Sequence, residues 1–408
     1  MKIRPIILIV PLVLLAVGLI WQLELVLRLF FLSAIVLLLG YAWTVLGVHG
    51  LTAEVKNLPD HRQVGDEFDE GITVVNTNKM PKLLLTVEEK TGLPGYHNIA
   101  TLNLGPGKSR SWQTTISCQQ RGRYQLGSFT AKVSDPLGIF SRQSVLGQPH
   151  DVLIYPSIVD LPFFALSATA NYEYGTGRRS TSQISPDAST VREFTTGDSL
   201  SHIHWRSTAH TGQLMVKVFD AERSRNGSKG TWIVLDMHQT ASTGEGIETT
   251  EEYGVTIAAS LVKKYLDEGM PVGLMTHGDR PYLFPCDQGE IHFHRMLETL
   301  ALMRATGQVT LDRLLSDEME RFQGDSSVII VTPSATEKLA SAIWRLQRHG
   351  NSAVVVLLDA ASFGGTSASV PAARSLAAMG VPVYIVRKGD ELAMALDSRV
   401  ALSHTRFV

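Results

Sequence analysis

Histidines set near acids and arginines are the side chains that could do chemistry in this chain, and they crowd into residues 192–217. The stretch reads R-E-F-T-T-G-D-S-L-S-H-I-H-W-R-S-T-A-H-T-G-Q-L-M-V-K and holds Arg192, Glu193, Gly197, Asp198, His202, His204, Trp205 and Arg206. Imidazole titrates near neutral pH, so His204 could act as a general base, with Asp198 or the later Asp236 orienting it or binding a metal. That would make a metal-dependent hydrolase. Glu193 and Asp198 could also work as a carboxylate pair. His202 and His204, and separately His292 and His294, stand two apart, as two Zn²⁺ ligands on one face of an extended segment would. No H-E-x-x-H or G-x-S-x-G accompanies them, and His292 and His294 fall at the start of a helical pattern, where residues two apart diverge.

The elements that position these residues read as two turns and two extended pieces. Gly197-Asp198 suits a turn, because glycine accepts positive φ and aspartate bonds its own backbone. Ile203-His204-Trp205-Arg206 then reads as extended, with Ile203 and Trp205 on one side and His204 and Arg206 on the other. Thr211-Gly212 makes a second turn, and Leu214, Val216 and Val218 form the inward face of a strand. Arg192, Glu193, Asp198 and Arg206 lie close to apolar positions, where charges are expected to pair.

The same stretch resembles the signature of the bacterial family "domain of unknown function 58". That signature has the form R-E-[YF]-x-x-G-D-x-x-R-x-I-x-W-[RK]-x-[ST]-A-R-x-G-x-L-x-V-K. The chain keeps Arg192, Glu193, Phe194, Gly197, Asp198, Ile203, Trp205, Arg206, Ala209, Gly212, Leu214, Val216 and Lys217, and departs at Ser201 and His210. The resemblance implies a membrane protein with no assigned reaction, commonly associated with MoxR-type AAA ATPases.

At 408 residues the chain has room for two or three domains. A net charge of -2 without a Lys/Arg-rich run gives no nucleic-acid footprint. Two cysteines, Cys118 and Cys286, exclude a disulfide framework. Residues 5–23 and 29–48 carry no charged side chain, and each is close to the roughly 20 residues needed to cross a bilayer. Trp21, Tyr41 and Trp43 stand near the expected interfaces. Lys2 and Arg4 place the N-terminus in the cytoplasm, and two spans return residues 49 onward to the same side.

Residues 50–160 alternate in short runs between turn signals, as expected of an antiparallel β-sandwich. Arg121-Gly122-Arg123-Tyr124 and Asp135-Pro136-Leu137-Gly138 are taken as structural, the second as a proline-fixed turn. Residues 161–230 form a loop plus the signature. In residues 231–408 continuous apolar strands alternate with helical patterns, which argues for a mostly parallel sheet covered on both faces. The expected class is therefore α+β multidomain: a transmembrane helical hairpin, a β-sandwich and an α/β domain. Asp236 ends the first strand of the last domain, where open α/β sheets place their sites. The domain looks like a von Willebrand factor type A fold, whose D-x-S-x-S motif often holds Mg²⁺. Here that motif reads Asp236-Met237-His238-Gln239-Thr240, and Thr332-Pro333-Ser334 stands where a later Asp is often found. A degenerate site of Asp236, His238 and Thr240 follows, with no cofactor expected and Mg²⁺ as the alternative.

The expected function is that of a membrane-anchored, non-enzymatic scaffold at the inner membrane. It would work with a MoxR-type AAA ATPase on envelope-related complexes, through a protein partner and no nucleic acid. The signature residues Arg192, Glu193, Gly197, Asp198, His204, Trp205 and Arg206 would orient loops or bind that partner. The alternatives are the hydrolase above and an externally facing, metal-dependent adhesion module.

Overall fold

The structure, a computed structural model, describes residues 2–3, 5–166, 190–193, 203–218, 230–322, 325–334, 336–366 and 369–399. Side-chain surroundings are described for these except 2–3, 5–8, 190–193 and 216–218. The chain divides into two compact units, Met1–Pro156 and Ser157–Val408.

In the first unit a two-residue strand, β1 (Lys2–Ile3), precedes helices α1 (Pro5–Trp21) and α2 (Glu24–Val48). Runs of Leu, Ile and Val with few breakers make both helical, and no polar stripe divides their surfaces. α2 is long and apolar enough to cross a membrane, and the apolar part of α1, Ile9–Trp21, is shorter. α2 stops at His49, which turns extended, and Gly50 then takes φ +75°.

Ten strands follow: β2 (Leu51–Lys56), β3 (His61–Gln63), β4 (Glu67–Asn76), β5 (Lys82–Glu89), β6 (Ile99–Leu104), β7 (Ser109–Ser117), β8 (Gly122–Leu126), β9 (Phe129–Ser134), β10 (Phe140–Leu146) and β11 (His150–Tyr155). They form sheets in the orders β1-β10-β9-β5-β6, β2-β4-β7 and β3-β11-β8. Every pairing is antiparallel except β3 with β11. Alternation on β4 sends Phe68, Glu70, Ile72, Val74 and Asn76 inward, as the period of two demands. Ile72 and Val74 meet Leu85, Val87, Phe129 and Val133 from the first sheet in one core.

That core extends onto the end of α2. Thr44, Gly47 and Val48 are buried, and a Cβ on Gly47 would stand 2.7 Å from Val133 Cγ1. Lys82 is buried and its Nζ donates to the carbonyls of Leu46 and His49, 2.9 Å each. A cation on the exposed carbonyls of a helix C-terminus satisfies them and opposes the helix dipole. Burial lowers the Lys82 pKa.

In the second unit β12 (Thr190–Glu193) pairs antiparallel with β13 (Met215–Val218). Between them lies α3 (Trp205–Thr211). A six-stranded sheet follows from β14 (Thr231–Leu235), β17 (Val272–His277), β18 (Pro281–Asp287), β19 (Ser327–Thr332), β20 (Ser352–Leu358) and β21 (Val383–Val386), with a small hairpin, β15 (Gly244–Glu245) and β16 (Glu248–Thr249), after the first strand. Its order is β18-β17-β14-β19-β20-β21, with β18 alone among these six antiparallel to its neighbour. β14 is buried at every residue and β19 at all but its first, so helices must cover both faces. Those helices are α4 (Thr250–Asp267), α5 (Glu290–Leu302), α6 (Leu311–Asp317), α7 (Glu337–Arg348), α8 (Ser369–Ala378) and the short α9 (Leu392–Ala395). Thr249 and Thr336 cap α4 and α7 by accepting the N–H groups of Glu252 and Leu339.

Three sequence expectations change. The stretch before Gly289, where Gly278, Asp279, Pro281 and Pro285 predict turns, contains β18, which zips back onto β17 as an edge strand. Residues 205–206 are helical rather than extended, because His204 caps the helix and Gly212, at φ +73°, closes it. Four residues of apparent alternation cannot outweigh two good caps. Leu214, expected to face inward, is exposed.

Candidate functional site

The signature's described side chains split by depth. Ile203 is buried, whereas Trp205 is 68% exposed and Arg206 is also exposed. Trp205 therefore does not pack inward, and Arg206 is not a charge near the core. His204 Nδ1 accepts the Ser207 N–H at 3.3 Å and lies 2.7 Å from Ser207 Oγ. That nitrogen is committed to the helix cap. Ser207 Oγ beside His204 has the spacing of a nucleophile and a base, yet among the described residues no carboxylate bonds the other ring nitrogen. Arg192 and Glu193 lie on β12, opposite Val216 and Met215. Phe194, Gly197, Asp198, Ser201 and His202 lie outside the described residues, so the His204–Asp198 pairing does too.

The acid at the end of β14 sits in a more closed setting. β14 and β19 are neighbours in the sheet, but their helical connections leave in opposite directions, and a crevice opens at such a reversal. Asp236 follows β14 there, and Thr332 ends β19. Asp236 Oδ2 accepts the Thr332 hydroxyl at 2.7 Å, and Oδ1 accepts the His238 N–H at 3.1 Å. Thr332 Oγ1 in turn accepts the Ser334 N–H at 3.0 Å. His238 Nδ1 lies 2.8 Å from Thr240 Oγ1 and accepts the Thr240 N–H. Burial pushes the Asp236 carboxyl up, and the bonds from Thr332 and His238 pull it back only in part.

These donors fit Mg²⁺ poorly. The site offers one carboxylate whose two oxygens already hold the turn, hydroxyls tied to their neighbours, and an imidazole where a hard cation takes oxygen. No group of three or more His, Cys, Asp or Glu placed for a metal occurs among the described residues. His292 and His294 lie on α5; His292 Nε2 bonds the Val272 carbonyl at 2.8 Å, a structural tie. Asp359, at the end of β20, accepts the Ser369 hydroxyl at 2.8 Å and faces Arg387 at 3.6 Å. A cavity of about 300 Å³ lies away from this crevice, lined in part by Trp232, Leu283 and Cys286. Burial pushes the Cys286 thiol up to about 12, which disfavours the thiolate.

A buried polar cluster in the first unit had no sequence signal beyond inward-facing acids on strands. Tyr96 Oη lies 2.8 Å from both Glu70 Oε2 and Glu89 Oε2, and accepts Asn98 Nδ2–H at 3.1 Å. One phenol hydrogen cannot serve two carboxylates. Glu89 also accepts the Gly127 N–H at 2.7 Å, so it takes the tyrosine hydrogen and the extra proton falls on Glu70. Glu70 is fully buried; burial first, then the charge of Glu89, pushes it from 4.5 up to about 8.

The second unit is thus an α/β domain with a closed acidic turn at its topological reversal and a capped helix carrying an exposed tryptophan. Residues 190–359 match the family described as "Protein of unknown function DUF58". That match contains residues 192–217, which carry the resemblance to the family's signature. The chain is 24% identical over 306 residues to the uncharacterized protein YeaD of Bacillus subtilis (strain 168), covering 71% of each chain. Among solved structures, the CARDB domain of a Pyrococcus furiosus protein is 20% identical, covering 26% of this chain and 94% of its own, with TM-score 0.21. The C-terminal domain of wzt is 12% identical over 28% of this chain and 77% of its own, with TM-score 0.22. Neither score carries an argument about this chain.

Proposed function

We propose that this protein is a membrane-anchored, non-enzymatic scaffold that binds a protein partner through its second unit. The observation that carries this reading is Trp205, 68% exposed on the helix at the centre of the family signature. A tryptophan kept for packing would be buried, whereas an exposed one suits an interface anchor. His204 as a helix cap and Asp236 as a turn-holder favour binding over hydrolysis. The order with a reversed third strand supports a von Willebrand A-like domain, and the shared core of the first unit's sheets supports a β-sandwich. α1 packed against α2 supports two spans, and Lys2 and Arg4 favour cytoplasmic domains. The partner is then a MoxR-type AAA ATPase, as the family resemblance implies, and the reading needs no metal.

Two experiments test this. Cysteines at the exposed Ser111 and Ser341 should resist a membrane-impermeant thiol reagent in intact cells. The detergent-solubilised protein should capture an AAA ATPase from its native lysate, and Trp205→Ala should lose it. Labelling in intact cells, or capture without any ATPase, would overturn the reading.

A further inference from the structure

We infer that the turn between β9 and β10 dips into the membrane interface beside α2, with Leu137 as its lipid-facing side chain. The inference rests on the membrane reading above and adds a second point of lipid contact. The turn is rigid. Asp135, buried, accepts the N–H groups of Leu137 at 3.1 Å and Phe140 at 2.6 Å, and Gly138 takes φ +68° to bring the chain back. This arrangement holds Leu137 outward, 62% exposed.

Both helices leave the strands at the level of this turn. Ile3, just before α1, pairs with Phe140. On α2, Tyr41 meets the Phe140 ring edge-on at 6.0 Å, and a Cβ on Gly40 would lie 3.4 Å from that ring and 3.5 Å from Asp135 Oδ2. Past this level α1 provides 17 residues, and α2 from Glu24 to Gly40 matches it. At 1.5 Å per residue each helix reaches about 25 Å, short of a hydrocarbon core of about 30 Å. The side of α2 turned from the strands stays apolar beyond Gly40 at Leu46, and Tyr41 flanks it, each about half exposed. Sinking the turn by about 5 Å, within the usual depth of an interfacial segment, closes the gap and covers both Leu137 and that side. Tyr41 and Trp43 then lie at the depth where amphipathic aromatics collect. The exposed Lys132, whose neighbour Val133 packs against Gly47, falls farther out toward the headgroups, where a cation suits phosphate.

Nitroxide depth measurement tests this on the full chain in nanodiscs of phosphatidylethanolamine and phosphatidylglycerol. Single labels go on Leu137→Cys, on Phe31→Cys in the apolar part of α2, and on Ser111→Cys, exposed on β7. Protein without an added cysteine sets the background from Cys118 and Cys286. The expected result is a Phe31 label rich in oxygen collisions, a Ser111 label open to aqueous nickel, and a Leu137 label between them, its nickel accessibility several-fold below that of Ser111. A Leu137 label matching Ser111 while Phe31 is deep would leave the turn in water and overturn the inference alone. Shielding of Leu137 from both agents would mean a protein contact, such as a second copy, and overturn it as well. A Phe31 label open to nickel would remove the membrane reading and this inference with it.

Discussion

Replacing Glu70 by glutamine should uncouple the first unit's stability from pH. In the folded unit Glu70 keeps a proton that the unfolded chain gives up at an ordinary carboxyl pKa. From 4.5 to about 8 the native state therefore holds more protons than the unfolded state, and stability falls as pH rises. The loss slows above the upper value, where both states are ionised. A displacement of this size has a ceiling of about 5 kcal/mol, and relaxation around the ionised Glu70 reduces it to a few kcal/mol. Glutamine mimics the protonated acid, since its amide can donate to Tyr96 Oη as the carboxyl does. Glu70→Gln should then match the wild type near about pH 5 and exceed it by about 2–4 kcal/mol near about pH 9. For a unit of this size that difference raises the melting temperature by roughly 5–15 °C. Thermal unfolding followed across that range in detergent micelles reads it directly. Parallel pH profiles for the two proteins would show that no proton is trapped there.

Thr332→Val removes the hydroxyl that donates to Asp236 and accepts from Ser334. It should cost about 1–3 kcal/mol in urea unfolding, while Thr332→Ser keeps most of the stability. Equal stability of the two variants would deny the bond any weight. Lys82→Met leaves the carbonyls of Leu46 and His49 without their donor, so amide exchange at the end of α2 should speed up about 10-fold or more while β7 stays protected. Unchanged exchange would mean the lysine does not hold the helix. Trp205→Ala should alter stability by less than about 0.5 kcal/mol, because the ring is exposed. A drop in melting temperature there, with partner capture intact, would return Trp205 to a packing role.

The α/β unit was legible wherever period and length agreed. Thr231–Leu235, Ser327–Thr332 and Ser352–Leu358 are short continuous apolar runs, and each is a strand. The helical spacing through Tyr253, Ile257, Leu261 and Tyr265 became a helix spanning Thr250–Asp267. β18 was not legible, because Pro281 and Pro285 argue against a strand except at an edge, and edge status is a property of the sheet. At the site, sequence picked out Asp236, His238 and Thr240 but saw Thr332 only as a missing acid. Its bond to Asp236 spans 96 positions and depends on two strands lying side by side.

Sequence by itself determined what is local or compositional. It specified the apolar helices, the alternation of β4, the strands and helices of the second unit, and a family signature dense enough to be recognised. Each follows from side-chain types within a window of several residues, where the period of the backbone decides which face is apolar. Tertiary structure decided the rest: that Trp205 stays exposed while Ile203 is buried, and that Glu70 and Glu89 meet over one tyrosine. It also placed the turn at Leu137 level with the exit of both helices. Exposure and proton affinity arise from what surrounds a group in space, and residues far apart in the chain supply those surroundings.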